Sequence, residues 1–107
     1  MVRPFKVVLL GKTEKGYIWQ YTFLVFAREP AQATRLAAKA AKEEPRDLKD
    51  IRIFKVREYK TPRVEAELKG GWPDEEVIED VEENGGYENL PTIDEFLKEA
   101  PTSAIEV

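Results

Sequence analysis

Tyr17–Ala27 (YIWQYTFLVFA) constrains the fold more than any other stretch of the chain. Alternate positions put Tyr17, Trp19, Tyr21, Phe23 and Val25 on one face and Ile18, Gln20, Thr22, Leu24 and Phe26 on the other. Aromatic and β-branched side chains pack well on a pleated surface, so the run reads as a strand. Its second half, Phe23–Phe26, is apolar on both faces, which suits a strand covered from both sides or a contact between subunits.

The neighbouring segments are built to pair with this strand or cover it. Phe5–Leu10 reads as a first strand, and the glycine-bracketed polar link Gly11–Gly16 predicts a hairpin into Tyr17. Glu29-Pro30 opens a helix: proline lacks the N–H that a first helical position leaves unused, and the carboxylate suits the positive end of the dipole. Ala33, Leu36, Ala37, Ala40 and Ala41 fall on one helical face, which lets the helix lie close to the sheet. Pro45 ends it.

Asp50–Lys60 predicts a third strand whose alternation slips, since Ile51 and Ile53 share one face and Phe54 and Val56 the other. A bulge near Ile53-Phe54, or burial on both sides there, follows. Arg63–Lys69 alternates cleanly as a fourth strand. The order β-β-α-β-β defines an α+β fold with one helix on a mostly antiparallel sheet. Gly70-Gly71 then marks a boundary between an α+β domain over 1–69 and an acidic extension over 70–107. Two short helices are expected in that extension, about 74–84, closed by Gly85, and about 92–100, opened by the capping box Thr92-Ile93-Asp94-Glu95.

Composition removes several chemistries. With 107 residues the chain forms one domain at most, plus a tail. It has no cysteine and no histidine, so thiolate nucleophiles, thiolate-bound zinc and the commonest general base are absent. No run approaches the roughly 20 apolar residues of a membrane span, and no leader pattern precedes the first strand. The expected location is the cytoplasm.

The net charge of −4 hides a division. Residues 1–69 carry 16 Lys and Arg against 9 Asp and Glu, a net +7; residues 70–107 carry 1 against 12, a net −11. Such asymmetry bears on partners.

Motifs that would carry catalysis are incomplete. Gly11-Lys12-Thr13 resembles the end of a phosphate-binding loop, but Lys6 stands where the first glycine is required and a strand follows instead of a helix. The carboxylates of Asp74–Glu83 lack the spacing and central glycine of a calcium loop, and read as a solvated face. No catalytic residue, metal or cofactor is expected.

Two family resemblances are visible. Ala37-Ala38-Lys39-Ala40-Ala41-Lys42 resembles the alanine-lysine helix of double-stranded-RNA-binding domains, without the helix that opens such a domain or its basic glycine-serine approach. The hairpin–helix–strand order over about 5–58 resembles a small ribosomal protein of the LX type, in topology and a few apolar positions. Neither carries a distinctive motif, and neither assigns the chain to a family.

Two functions are in contention. One is a non-catalytic protein-interaction or regulatory module, whose acidic extension docks on a basic surface, its own or a partner's, with self-association as a variant. Tyr17, Trp19, Tyr21, Trp72, Val77, Ile78 and Phe96 are its candidate contacts, aromatics for affinity and acids for steering. The other is an RNA- or DNA-binding domain. It would use the basic helix stripe Arg35, Lys39 and Lys42 with Arg28 and Arg46, and stack bases on the aromatic strand face. The plainer alternative makes those aromatics core and those cations ordinary surface.

Overall fold

A computed structural model describes residues 2–58 and 69–99. The β-β-α-β-β order holds, in an α+β fold: β1 (Arg3–Lys12), β2 (Ile18–Ala27), α1 (Pro30–Glu43), β3 (Lys49–Glu58) and β4 (Lys69–Gly71). After these come α2 (Glu75–Glu83), a 3₁₀ turn (Tyr87–Asn89) and α3 (Ile93–Glu99). The sheet is antiparallel throughout, in the order β3-β1-β2-β4. Of the expected strand 63–69, residues 63–68 lie outside the described residues, as do Tyr59 and Lys60 at the end of the third.

The β1–β2 hairpin forms the middle of the sheet, with Val7 opposite Phe23 and Leu9 opposite Tyr21. Its turn closes through Thr13 N–H to the Tyr17 carbonyl at 2.8 Å, so Gly11-Lys12-Thr13 runs strand into turn into strand. The slip in β3 is a bulge: Val8 faces Lys55 and Leu9 faces Ile53, leaving Phe54 as the extra residue. The extra residue returns Val56 to the face of Ile51 and Ile53, in the larger cluster, and leaves Phe54 alone on the other face, so the expectation that Phe54 and Val56 share a face does not hold.

Two apolar clusters occupy opposite faces of the sheet. The larger joins Phe5, Val7, Leu9, Tyr21, Phe23 and Ile53 to the alanines of α1. Ala33, Ala37 and Ala41 are buried there, so the helix backbone lies close and the strand aromatics supply the volume. The buried face of α1 is rotated from the expected one. Ala31 and Thr34 point inward, while Leu36 stands 40% exposed. Thr34 is satisfied by donating its hydroxyl to the Pro30 carbonyl at 2.9 Å.

The smaller cluster gathers Leu10, Val81 and Tyr87, with Ile18, Phe54, Val77 and Leu90 against them. Residues 69–99 thus run around three sides of the sheet. β4 pairs with β2 at one edge, α2 and the 3₁₀ turn cover the outer face, and Pro91 accepts from Ile53 N–H at the opposite edge. α3 then returns to α1, with Ile93 and Phe96 joining the larger cluster. Gly70 and Gly71, expected between domain and extension, are themselves in β4.

Local signals explain the helix ends. Asp74 caps α2 by accepting from Val77 N–H at 3.0 Å. Gly85, at φ 100°, closes it: Gly86 N–H donates to Val81 O and Gly85 N–H to Glu82 O. The capping box forms as read, with Glu95 N–H donating to Thr92 Oγ1 and Thr92 N–H to Glu95 Oε1. Those Thr92 hydrogen bonds hold the Glu95 carboxyl below the usual carboxylate range.

Candidate functional site

The hairpin end of the sheet brings together residues far apart in sequence. Gln20 pairs with Gly71, which sets Trp72 beside Trp19 with their ring centroids 4.8 Å apart and planes at 71°. Trp72 also meets Tyr17 edge to face, at 5.9 Å and 85°. Gly70 makes this approach feasible, because a Cβ there would come within 2.9 Å of the Tyr21 ring.

Loop residues after α1 complete the cluster. The Arg46 guanidinium lies 3.9 Å from the centre of the Trp19 ring, and its backbone carbonyl accepts from the Tyr21 hydroxyl at 3.4 Å. Burial, reinforced by the nearby Glu44 charge, raises the Tyr21 phenol above its ordinary value, with Arg46 opposing. Trp19 is half-buried, and its Nε1–H has no acceptor among the described residues.

What stays open is the outer part of the cluster. Tyr17 is 59% exposed and Trp72 is 62% exposed. They wall a cleft of about 360 Å³ whose other sides are Thr13, Glu14 and Lys15 of the hairpin turn and Arg46 and Asp47 of the loop. On the other flank of Trp72 a shallower hollow of about 220 Å³ is formed by Gln20, Gly70, Gly71 and Asp74. Trp72 is therefore a ridge between two depressions.

The candidate contacts separate on burial. Tyr17, Trp19 and Trp72 come together; Tyr21 does not join them at the surface, because α1 and the Arg46 loop cover that part of the strand face. This corrects the reading of Tyr21 as a stacking platform. Val77 and Phe96 pack inward, one in each cluster, and Ile78 is half-buried on α2. Phe26, at 61% exposed, is a further uncovered aromatic at the far end of β2.

The basic candidates are dispersed differently. Arg35, Lys39 and Lys42 are exposed along α1, spanning roughly 10 Å at 1.5 Å per residue. Arg46 is committed to Trp19, and Arg28 accepts the Arg3 guanidinium on its carbonyl at 2.8 Å. Arg52, on β3, is a structural clamp. Its guanidinium donates to Asp50 Oδ1 and to the carbonyls of Glu88 and Leu90, fastening the 3₁₀ turn to β3.

Sequence reasoning missed the cleft's polar walls. Nothing local connects Glu14 and Lys15 with Asp47; they meet because the hairpin turn and the loop after α1 share one end of the sheet. The carboxylates of α2 make no ion pair among the described residues, where the two pairs are Arg3–Glu58 and Arg52–Asp50. No group of three or more carboxylates converges as a metal site among the described residues, and no helix there is long and apolar enough to cross a membrane.

Comparison of the chain with protein-family models, with curated proteins and with solved structures returns no match.

Proposed function

We propose that this chain is a non-catalytic protein-interaction module whose contact surface is the Tyr17–Trp19–Trp72 cluster. The observation that carries the reading is the exposure of Tyr17 and Trp72 beside a cleft, in a small domain that closes both of its apolar clusters elsewhere. Leaving more than half of such a ring in water forgoes roughly 2 kcal/mol of burial. A partner that covers both rings recovers that energy, which is how aromatic anchors come to dominate interfaces.

The acids support the same reading. Asp74, Glu75, Glu76, Glu79, Asp80, Glu82 and Glu83 are all exposed, because α2 is held to the sheet by Val77 and Val81 and needs no carboxylate for docking. They begin two residues after Trp72. An aromatic anchor bordered by exposed acids that make no ion pair among the described residues suits a basic protein surface, with the charge steering encounter and the rings supplying affinity.

The test is affinity capture with the full chain and with Trp72→Ala, from a lysate of the source organism. The expected result is a protein partner retained by the parent chain, resistant to nuclease, and lost with the variant, which still folds cooperatively with its melting midpoint lowered by only several degrees, about 4–8 °C. Retention that does not depend on Trp72 overturns the assignment of the surface.

A second reading, nucleic-acid binding along α1, is favoured by the exposed row Arg35, Lys39 and Lys42, which makes no ion pair among the described residues.

A further inference from the structure

We infer that the two hollows flanking Trp72 receive a proline-rich peptide segment with a basic residue at one end. The inference rests on the reading of the aromatic cluster as an interaction surface and names the chemistry of what docks there.

Ring geometry comes first. The Tyr17 and Trp72 planes cross at 85° with centroids 5.9 Å apart, and both rings line the cleft, which they wall at a right angle to one another. A flat base stacks on one face of such a pair and leaves the other uncovered. A pyrrolidine ring is compact, puckered and apolar on both sides, and fills the angle against both walls. Aromatic-lined grooves of this kind take polyproline-II segments.

Hydrogen-bonding capacity points the same way. A polyproline-II segment makes no internal hydrogen bonds, and its prolines offer carbonyls but no N–H. It therefore needs a site with donors. The cleft supplies the Lys15 ammonium, and Thr13, whose Oγ1 accepts from Tyr17 N–H at 3.2 Å and so keeps its hydroxyl proton for a ligand.

The second hollow sets length and direction. It shares Trp72 with the first, so a segment lying across the indole places one proline on either side of the ridge. Three residues per turn at about 3.1 Å each return a proline to the same face after roughly 9 Å. Asp74 is the charged residue of this hollow, and it leads into the exposed acids of α2. A lysine or arginine flanking the prolines fits on that side. A pre-ordered ligand also suits a shallow site, because little conformational entropy remains to be lost on binding.

The experiment follows the indole N–H resonances of the full-length protein during titration with four probes. These are a synthetic polyproline peptide with an arginine flank, the same core with a glutamate flank, an arginine-flanked peptide with glycine and serine for proline, and a short single-stranded oligonucleotide. Saturable shifts of the Trp72 indole by the first peptide are expected, with binding about fivefold weaker for the glutamate flank. Trp72→Ala should weaken binding at least about tenfold while the protein still unfolds in one cooperative transition, and Asp74→Asn, which can still cap α2, should erase the flank preference. Equal binding of the proline-free peptide, preference for the oligonucleotide, or no Trp72 shift with any proline peptide overturns the inference. If capture of a protein partner still depends on Trp72 in that event, the surface stands and only the ligand class is wrong; if capture is indifferent to Trp72, both fall.

Discussion

The Arg46 guanidinium sits 3.9 Å from the centre of the Trp19 ring, so the loop after α1 is fastened to β2 by a cation over an aromatic face. Trp72 approaches the same indole from β4. Trp19 is thus the point where three separate segments meet, and Arg46 is the contact that brings the loop to it.

Removing that contact should loosen the loop without unfolding the domain. Arg46→Ala is expected to cost about 1 kcal/mol in urea unfolding, the worth of a cation–π pair at a partly covered ring. The Trp19 emission should shift to the red as water reaches the ring. Arg46→Lys should restore part of the stability, since an ammonium keeps the charge but not the planar stacking.

The two tryptophans should part company under mutation. Trp19 is half-buried against the larger cluster, and Trp19→Ala is expected to cost about 3 kcal/mol, much of what so small a domain has. Trp72 is mostly exposed and its losses are the edge-on contacts with Tyr17 and Trp19, so Trp72→Ala should cost about 1 kcal/mol. Trp19→Phe should be milder than Trp19→Ala, because both remove the N–H that lacks an acceptor among the described residues but only phenylalanine keeps a ring against the larger cluster. Equilibrium denaturation of the three variants checks the order.

These residues also mark how far the sequence could be read. Tyr17–Ala27 announced its strand through composition and period, Pro30 and Pro45 bracketed α1, and the slipped alternation at Ile53-Phe54 located the bulge. The capping box at Thr92 and Glu95 was equally legible, because each signal lies within one turn of chain. The seam of α1 was not, since small residues lie on several sides of this helix and leave its inward face weakly marked, so packing decides the rotation that buries Thr34 and exposes Leu36. Meeting of Trp72 with Tyr17 depends on β4 pairing with β2 across some fifty residues, and no local pattern encodes that. Of the site, the aromatics were visible but their convergence was not, and Glu14, Lys15 and Asp47 carried no signal as cleft walls.

Alkaline pH should weaken the fold through Tyr87. Its phenol is pushed up to about 12, first by burial and then by the Asp50 charge, with Arg52 opposing. The hydroxyl donates to the carbonyls of Asp50 and Leu10, holding the 3₁₀ turn on the sheet. In the unfolded chain the phenol titrates near 10, so the folded state holds the proton more tightly. The contribution is therefore whole below about pH 10 and is lost as pH rises from there through about 12. Tyr87→Phe should cost about 1–2 kcal/mol at pH 8, because the Leu10 and Asp50 carbonyls lose the one hydroxyl proton they share. The gap between parent and variant should narrow over that alkaline window in urea unfolding; a constant gap would show that Tyr87 is not the titrating group.

The row on α1 separates the two readings of function. Arg35, Lys39 and Lys42 project together from a helix whose opposite side is buried alanine, so reversing them changes charge and leaves the core intact. If they neutralise phosphates, the full chain should bind unrelated oligonucleotides at low salt, and three contacts should give a slope of log affinity against log salt of about −2 to −3. Substituting all three by glutamate should then abolish binding while the melting midpoint holds. The interaction-module reading expects no oligonucleotide binding at low salt and no effect of the triple substitution on capture of a protein partner, because that surface lies around Trp72. A steep salt slope that disappears with the triple substitution would give the helix, and not the aromatic cleft, the leading role.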